Sequence, residues 1–177
     1  MNKPDIASSF RRPAALRSVA FAFVFACLLA CGGPSAWAAE WHNLTPLKSR
    51  RADVERELGK PVSAESASGA LNFKVAGGIV TVTFVTAKFA QAKKLSPQTE
   101  GTVLLIVLQH ENSSDTPESI NLVNKNGFTR EEKGVMTVYT NQKDGITYTF
   151  FNGRLKTTRY APAADQLSGS QGLKSVL

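Results

Sequence analysis

The chain is short of the residues on which most reactions depend. It has two cysteines, two histidines, two methionines and two tryptophans in 177 residues. The histidines, His42 and His110, stand far apart with no cysteine beside them, so a zinc site would need Asp or Glu to complete it. No G-x-G-x-x-G or G-x-x-x-x-G-K occurs, and Gly77-Gly78 reads as a hairpin turn, not a phosphate loop. No serine sits in a G-x-S-x-G elbow. No cofactor and no metal is therefore expected. The longest apolar run, Val19 to Ala30, would rise only about 18 Å as a helix, short of a ~30 Å hydrocarbon core.

What is present begins with an export pattern. Lys3, Arg11, Arg12 and Arg17 precede the apolar run, and small residues follow it up to Ala36-Trp37-Ala38. That order is a secretory signal peptide over residues 1–38, cut before Ala39. Leu28-Leu29-Ala30-Cys31 is a competing signal, since it resembles a bacterial lipobox. Lipidation at Cys31 would tether the domain to a membrane, so the product is either periplasmic or secreted, or a membrane-anchored lipoprotein. Arg11-Arg12 is a poor twin-arginine signal, because Pro13-Ala14-Ala15 replaces the apolar residues that should follow.

The cut changes the charge and the thiol count. The whole chain is +7; residues 39–177 keep 17 Lys and Arg against 13 Asp and Glu, or +4. Such a domain favours anionic surfaces only weakly. Cys27 and Cys31 both leave with the leader, so no disulfide is available at an oxidising destination. The core alone must hold the fold, which roughly 120 residues can do.

Start and stop signals define one helix in Ser49 to Pro61. Ser49 can cap it, Asp53, Glu55 and Glu57 crowd its first turns, Gly59 can close it and Pro61 ends it. Val54 and Leu58 share a face. Leu71, Phe73 and Val75 alternate, as do Val80, Val82 and Phe84 beyond Gly77-Gly78. Thr102 to Leu108 is apolar on both faces, which predicts a central strand covered twice, or covered once and set against a partner. Thr116 to Gly127 reads as a second short helix, with Thr116 as cap, Pro117 at its first position and Ile120 and Val123 on one side. Strands follow at Val135 to Thr140, Ile146 to Phe151 and Arg154 to Tyr160, with turns at Asp144-Gly145 and Asn152-Gly153. The expected fold is α+β over residues 39–160: an antiparallel sheet with short helices on one face. The order helix then three strands occurs twice, in 44–110 and 116–160, which raises a tandem duplication. Residues 161–177, rich in Ala, Ser, Gly and Gln, read as a flexible tail. Lys88 to Lys94 mixes Phe89 with three lysines and reads as a solvated connecting loop.

Leu44 to Pro61 also resembles the opening of a family of small exported bacterial proteins of unknown function. Their motif runs Trp-x-x-Ile-x-Pro-Leu-x-Ser-Thr-Arg-x-Asp-Val-Glu-x-x-Leu-Gly-x-Pro after a signal peptide. Trp41, Pro46, Leu47, Ser49, Arg51, Asp53, Val54, Glu55, Leu58, Gly59 and Pro61 match it. Tyr139 to Tyr148 and Tyr160-Ala161-Pro162 are similar too. Arg50 replaces the usual threonine, the better helix cap, and the cysteines of many members are missing. More distantly, the short helix ending Leu-Gly-x-Pro before a hairpin resembles the SmpA/OmlA and β-lactamase-inhibitor-protein class of folds. That resemblance implies binding roles, but fold does not fix function.

The functional expectation is a non-enzymatic binding module of the cell envelope or periplasm, with an envelope or secreted protein as partner and no nucleic acid. Phe151 and Tyr160 are the candidate interaction residues, because aromatics gather on the last three strands and Phe150-Phe151 must point apart. The alternative is a small periplasmic hydrolase using carboxylates near His110, with Glu111 paired to Asp115 or Glu118.

Overall fold

A computed structural model describes residues 38–167. The leader and Cys31 lie outside the described residues, as does the tail beyond Leu167. The fold is α+β. Helix α1 (Arg51–Leu58) leads into β1 (Ala70–Val75) and β2 (Gly78–Phe84). Helix α2 (Ala87–Ala92) and a 3-10 turn (Pro97–Thr99) lead to β3 (Val103–His110). Then come β4 (Thr129–Lys133), β5 (Met136–Asn141), β6 (Ile146–Phe151), β7 (Arg154–Tyr160) and α3 (Ala164–Leu167). All seven strands form one antiparallel sheet in the order β1-β2-β3-β7-β6-β5-β4. Two meanders thus meet along the β3–β7 seam.

Strand alternation divides the sheet into two unlike faces. One carries Leu71, Phe73, Val80, Val82, Phe84 and Ile106, all buried, and is covered by Val54 and Leu58 of α1 with Leu44 and Trp41. Past the seam, Tyr139, Phe150 and Leu155 form a second cluster beneath Leu122, with Ile120 and Phe128 packed on it. Tyr139 and Phe150 meet edge to face at 5.8 Å.

Arg50, not Ser49, sits at the start of α1. A guanidinium cannot accept a bond from the first turn, so Asp53 works in reverse and accepts from the Arg50 N–H at 2.9 Å. The Arg50 side chain instead donates to the Gln98 and Glu100 carbonyls. Ser49 closes the preceding turn by accepting from the Thr45 N–H at 2.9 Å.

Four expectations fail in physically instructive ways. The second helix over 116–127 does not form. Thr116 and Ser119 exchange side-chain bonds with each other's backbone N–H, and Asn121 takes a left-handed φ of 55°, so the chain makes one turn and stops. Without that helix, the second half is a four-stranded meander under a loop, and the helix-plus-three-strand order does not repeat. Lys88 to Lys94 is not a plain loop, because Thr86 Oγ1 caps the Phe89 N–H and starts α2. The folded region also runs past Tyr160: Pro162 and Ala163 are buried, and the chain there presses on Gly145.

Candidate functional site

The second face of the sheet holds no buried side chain. Register places Thr81, Val107, Arg159, Thr147 and Thr140 in one row across β2, β3, β7, β6 and β5. The next row holds Ile79, Gln109, Thr157, Thr149 and Val138. Leu105 and Val107 are only half-buried there, so among the described residues β3 is covered on one side alone. Phe151 closes the face at one corner, 47% exposed, beside Val135 at 55%. The Asn152 N–H donates to the Val135 carbonyl and holds the two hairpin tips together.

A bulge adds charge to this face. Thr149 faces Thr157 and Phe150 faces Leu155, which leaves Lys156 unpaired in β7. Leu155 and Thr158 are both buried on the covered face. Lys156 and Thr157 between them therefore both project to the open side. Lys74, Lys156 and Arg159 are exposed, and their side chains bond to no described residue.

Phe151 and Tyr160, the two candidates from sequence, lie on opposite faces. Tyr160 packs against the first core cluster and stacks on Trp41 at 6.5 Å. Burial, with Tyr148 alongside, pushes its hydroxyl up to about 12. It is scaffold more than surface.

The histidines, remote in sequence, come to the same hollow. Trp41, His42, Val75, Leu108 and His110 line a cavity of about 220 Å³ above the end of the β1–β2 hairpin. His42 and Asn43 both have positive φ and form the two-residue turn that brings Trp41 back against Leu44. His110 Nε2 lies 2.9 Å from Thr158 Oγ1. Burial lowers the His110 pKa, and Asp115 partly opposes that.

The carboxylates near His110 do not converge on it. Glu111 and Glu118 are exposed. Asp115 accepts from the Ser113 hydroxyl at 2.9 Å. Hydrogen bonds from its own backbone N–H and from Thr116 hold Glu118 below the usual carboxylate range. Thr158, the hydroxyl that His110 does reach, is 3% exposed. Among the described residues no three of His, Cys, Asp and Glu gather as a metal site would require.

Sequence reading missed Lys156, Arg159 and the threonine rows. Their signal was present in the outward positions of Ile79 to Thr83 and of Arg154 to Arg159, where threonine and cations alternate with the core residues.

Fold and surface together define an α+β module whose sheet, among the described residues, is packed on one face and open on the other. No family model and no curated protein matches the chain. A solved structure, an extracellular protein containing a SCP domain from Bacillus anthracis str. Ames, is similar at 11% identity with a TM-score of 0.34. The match covers 64% of this chain and 43% of that one, so this chain spans under half of that protein. A likeness so distant carries neither fold nor function.

Proposed function

We propose that this protein is an exported, non-enzymatic binding module of the bacterial cell envelope, and that its partner sits on the open face of the sheet. One observation carries the reading: β3 is apolar on both sides, yet its Leu105 and Val107 are left half-buried on a face that no described helix or loop packs down. Together with Ile79, Val138, Met136 and Phe151 they make a broad apolar and hydroxyl-bearing surface of the kind that marks an interaction site. Export is supported by the signal-peptide order of residues 1–38. Among the described residues, no helix is long and apolar enough to cross a membrane.

The hydrolase alternative is the weaker reading. His110 is engaged with a buried hydroxyl, and the carboxylates around it turn to solvent or to their own loop.

The test is retention of the purified protein on isolated envelope from its host. Phe151→Ala should weaken retention by roughly tenfold or more, the loss expected for an aromatic anchor, with an unchanged melting temperature. Equal retention of Phe151→Ala and wild type would refute the placement of the partner.

A further inference from the structure

The open face also states the chemistry of what it holds. We propose that it binds an acidic polysaccharide, with Arg159 and Lys156 meeting the anionic groups and the surrounding threonines meeting the sugar hydroxyls. This rests on the open face being the binding surface and adds the class of partner.

The charge distribution is the first support. Arg159 stands on β7, the middle strand of seven, and its row carries no acid from Asn72 of β1 to Thr129 of β4. Lys156 lies three residues away on the same strand, turned to the same side by the bulge. A bulge is a local departure from the ladder that re-aims a side chain. Here it sets a second cation near the first, where regular alternation would have turned Lys156 into the core side. Lys74 lies three strands over, about 14 Å away at ordinary strand spacing. The acids on this side are Glu131, on the far edge strand, and Glu111, which follows Gln109 and His110 at the end of β3. None of the three cations bonds to a described residue. Water solvates them, and their countercharge comes from salt or a partner.

The neutral groups are the second support. Thr81, Thr83, Thr140, Thr147, Thr149 and Thr157 spread hydroxyls over four strands, and a hydroxyl can both donate and accept. That suits a ligand rich in hydroxyls along an extended path. An anionic membrane surface would instead select a dense lysine cluster with apolar groups for insertion. A protein partner would be met with several aromatics, and this face has Phe151 alone. The face spans seven strands, so it suits an extended polymer better than an enclosed small molecule.

The experiment measures binding of the full chain to polygalacturonate, with neutral dextran and phosphatidylglycerol vesicles in parallel. The expected result is saturable binding to polygalacturonate that weakens with salt, and none to dextran. In K156Q/R159Q the affinity should fall at least tenfold, and the slope of log K against log salt should shrink by roughly one to two, as for two lost ionic contacts. K125Q removes a cation that lies over Phe128, on the covered side, and should bind as wild type does. Circular dichroism and melting temperature establish that each variant is folded. No binding to polygalacturonate at low salt overturns the proposal, as does tighter binding to the vesicles or an equal loss in K125Q. If polygalacturonate fails while Phe151→Ala still loses envelope retention, the partner class is wrong and the open-face reading stands. If both fail, both readings fall.

Discussion

His110 Nε2 lies 2.9 Å from Thr158 Oγ1 across the β3–β7 seam. The bond ties together the two meanders at the point where their separate core clusters meet. It also occupies the imidazole on which the hydrolase alternative relies. The same contact makes the seam sensitive to acid.

Burial lowers the His110 pKa from the ordinary 6.5. The unfolded chain therefore binds a proton more readily than the folded one at mildly acidic pH. Stability from this group is fully present above about pH 6.5 and is lost as pH falls below that value toward the folded pKa. The urea midpoint of the wild type should drop between pH 7.5 and pH 5.5. In His110→Gln, the drop over that window should largely vanish. A wild-type midpoint that rises on acidification would contradict the assignment. The Asp53 pKa is also lowered, by the Arg50 backbone N–H first and Arg56 second, but it starts from the carboxylate range and acts at lower pH.

Adjacent phenylalanines should behave in opposite ways. Phe150 is fully buried against Tyr139, and its replacement by alanine should cost about 3–5 kcal/mol in chemical denaturation. Phe151 is half exposed, so Phe151→Ala should cost under about 1 kcal/mol and act on partner binding instead. Tyr160→Ala should resemble Phe150→Ala in kind, because its ring covers Trp41 and the first core cluster. A stable, fully folded Tyr160→Ala that loses binding would return Tyr160 to the interaction surface.

The two glycines of the β1–β2 hairpin should also separate. Gly77 has φ of 86° with open space beside its Cα, so alanine there meets backbone strain alone, about 1 kcal/mol. At Gly78 a Cβ would run into the Gln109 carbonyl of β3. Relief would require β2 and β3 to part where they pair Gly78 with His110, a cost of roughly 1–3 kcal/mol or more. Thermal melts of the two variants should differ clearly, with Gly78→Ala the worse. Equal losses would show that the strands part freely there.

Processing is testable directly. The Ala39 N–H donates to the Asp144 carbonyl at 2.8 Å. Cutting before Ala39 would turn that amide into an ammonium, which keeps the bond and strengthens it. Intact mass of protein from the native host should correspond to residues 39–177. A mass that retains Cys31 with a lipid would establish the tethered form.

The sheet was legible because most of its strands bury one side. Leu71, Phe73 and Val75, or Val80, Val82 and Phe84, alternate as a half-covered strand must. β4 was not legible. Its sequence, Thr-Arg-Glu-Glu-Lys, has no apolar side to betray it, and all five residues are exposed. Charge on an edge strand discourages pairing with another chain, and it also erases the strand signal. The loop over 116–127 misled for a different reason. Pro117, Ile120 and Val123 have helical spacing, but Asn121, Asn124 and Asn126 compete for the backbone. Ala161 to Ala163 looked like loose tail because small residues show no pattern, though Ala163 is fully buried. The proposed interaction surface was legible only in part. Phe151 was visible as an odd aromatic, whereas Lys156 depends on a bulge that a sequence does not announce.

The central claim is that recognition occurs on the face of the sheet that the helices leave free. Hydroxyl-radical footprinting of the protein, alone and bound to isolated envelope, tests it most directly. Met136 and Phe151 on the open face should be protected on binding, while Trp41 and Phe128 on the packed side should oxidise at unchanged rates. Protection of Trp41 and Phe128, with Met136 and Phe151 left reactive, would contradict it.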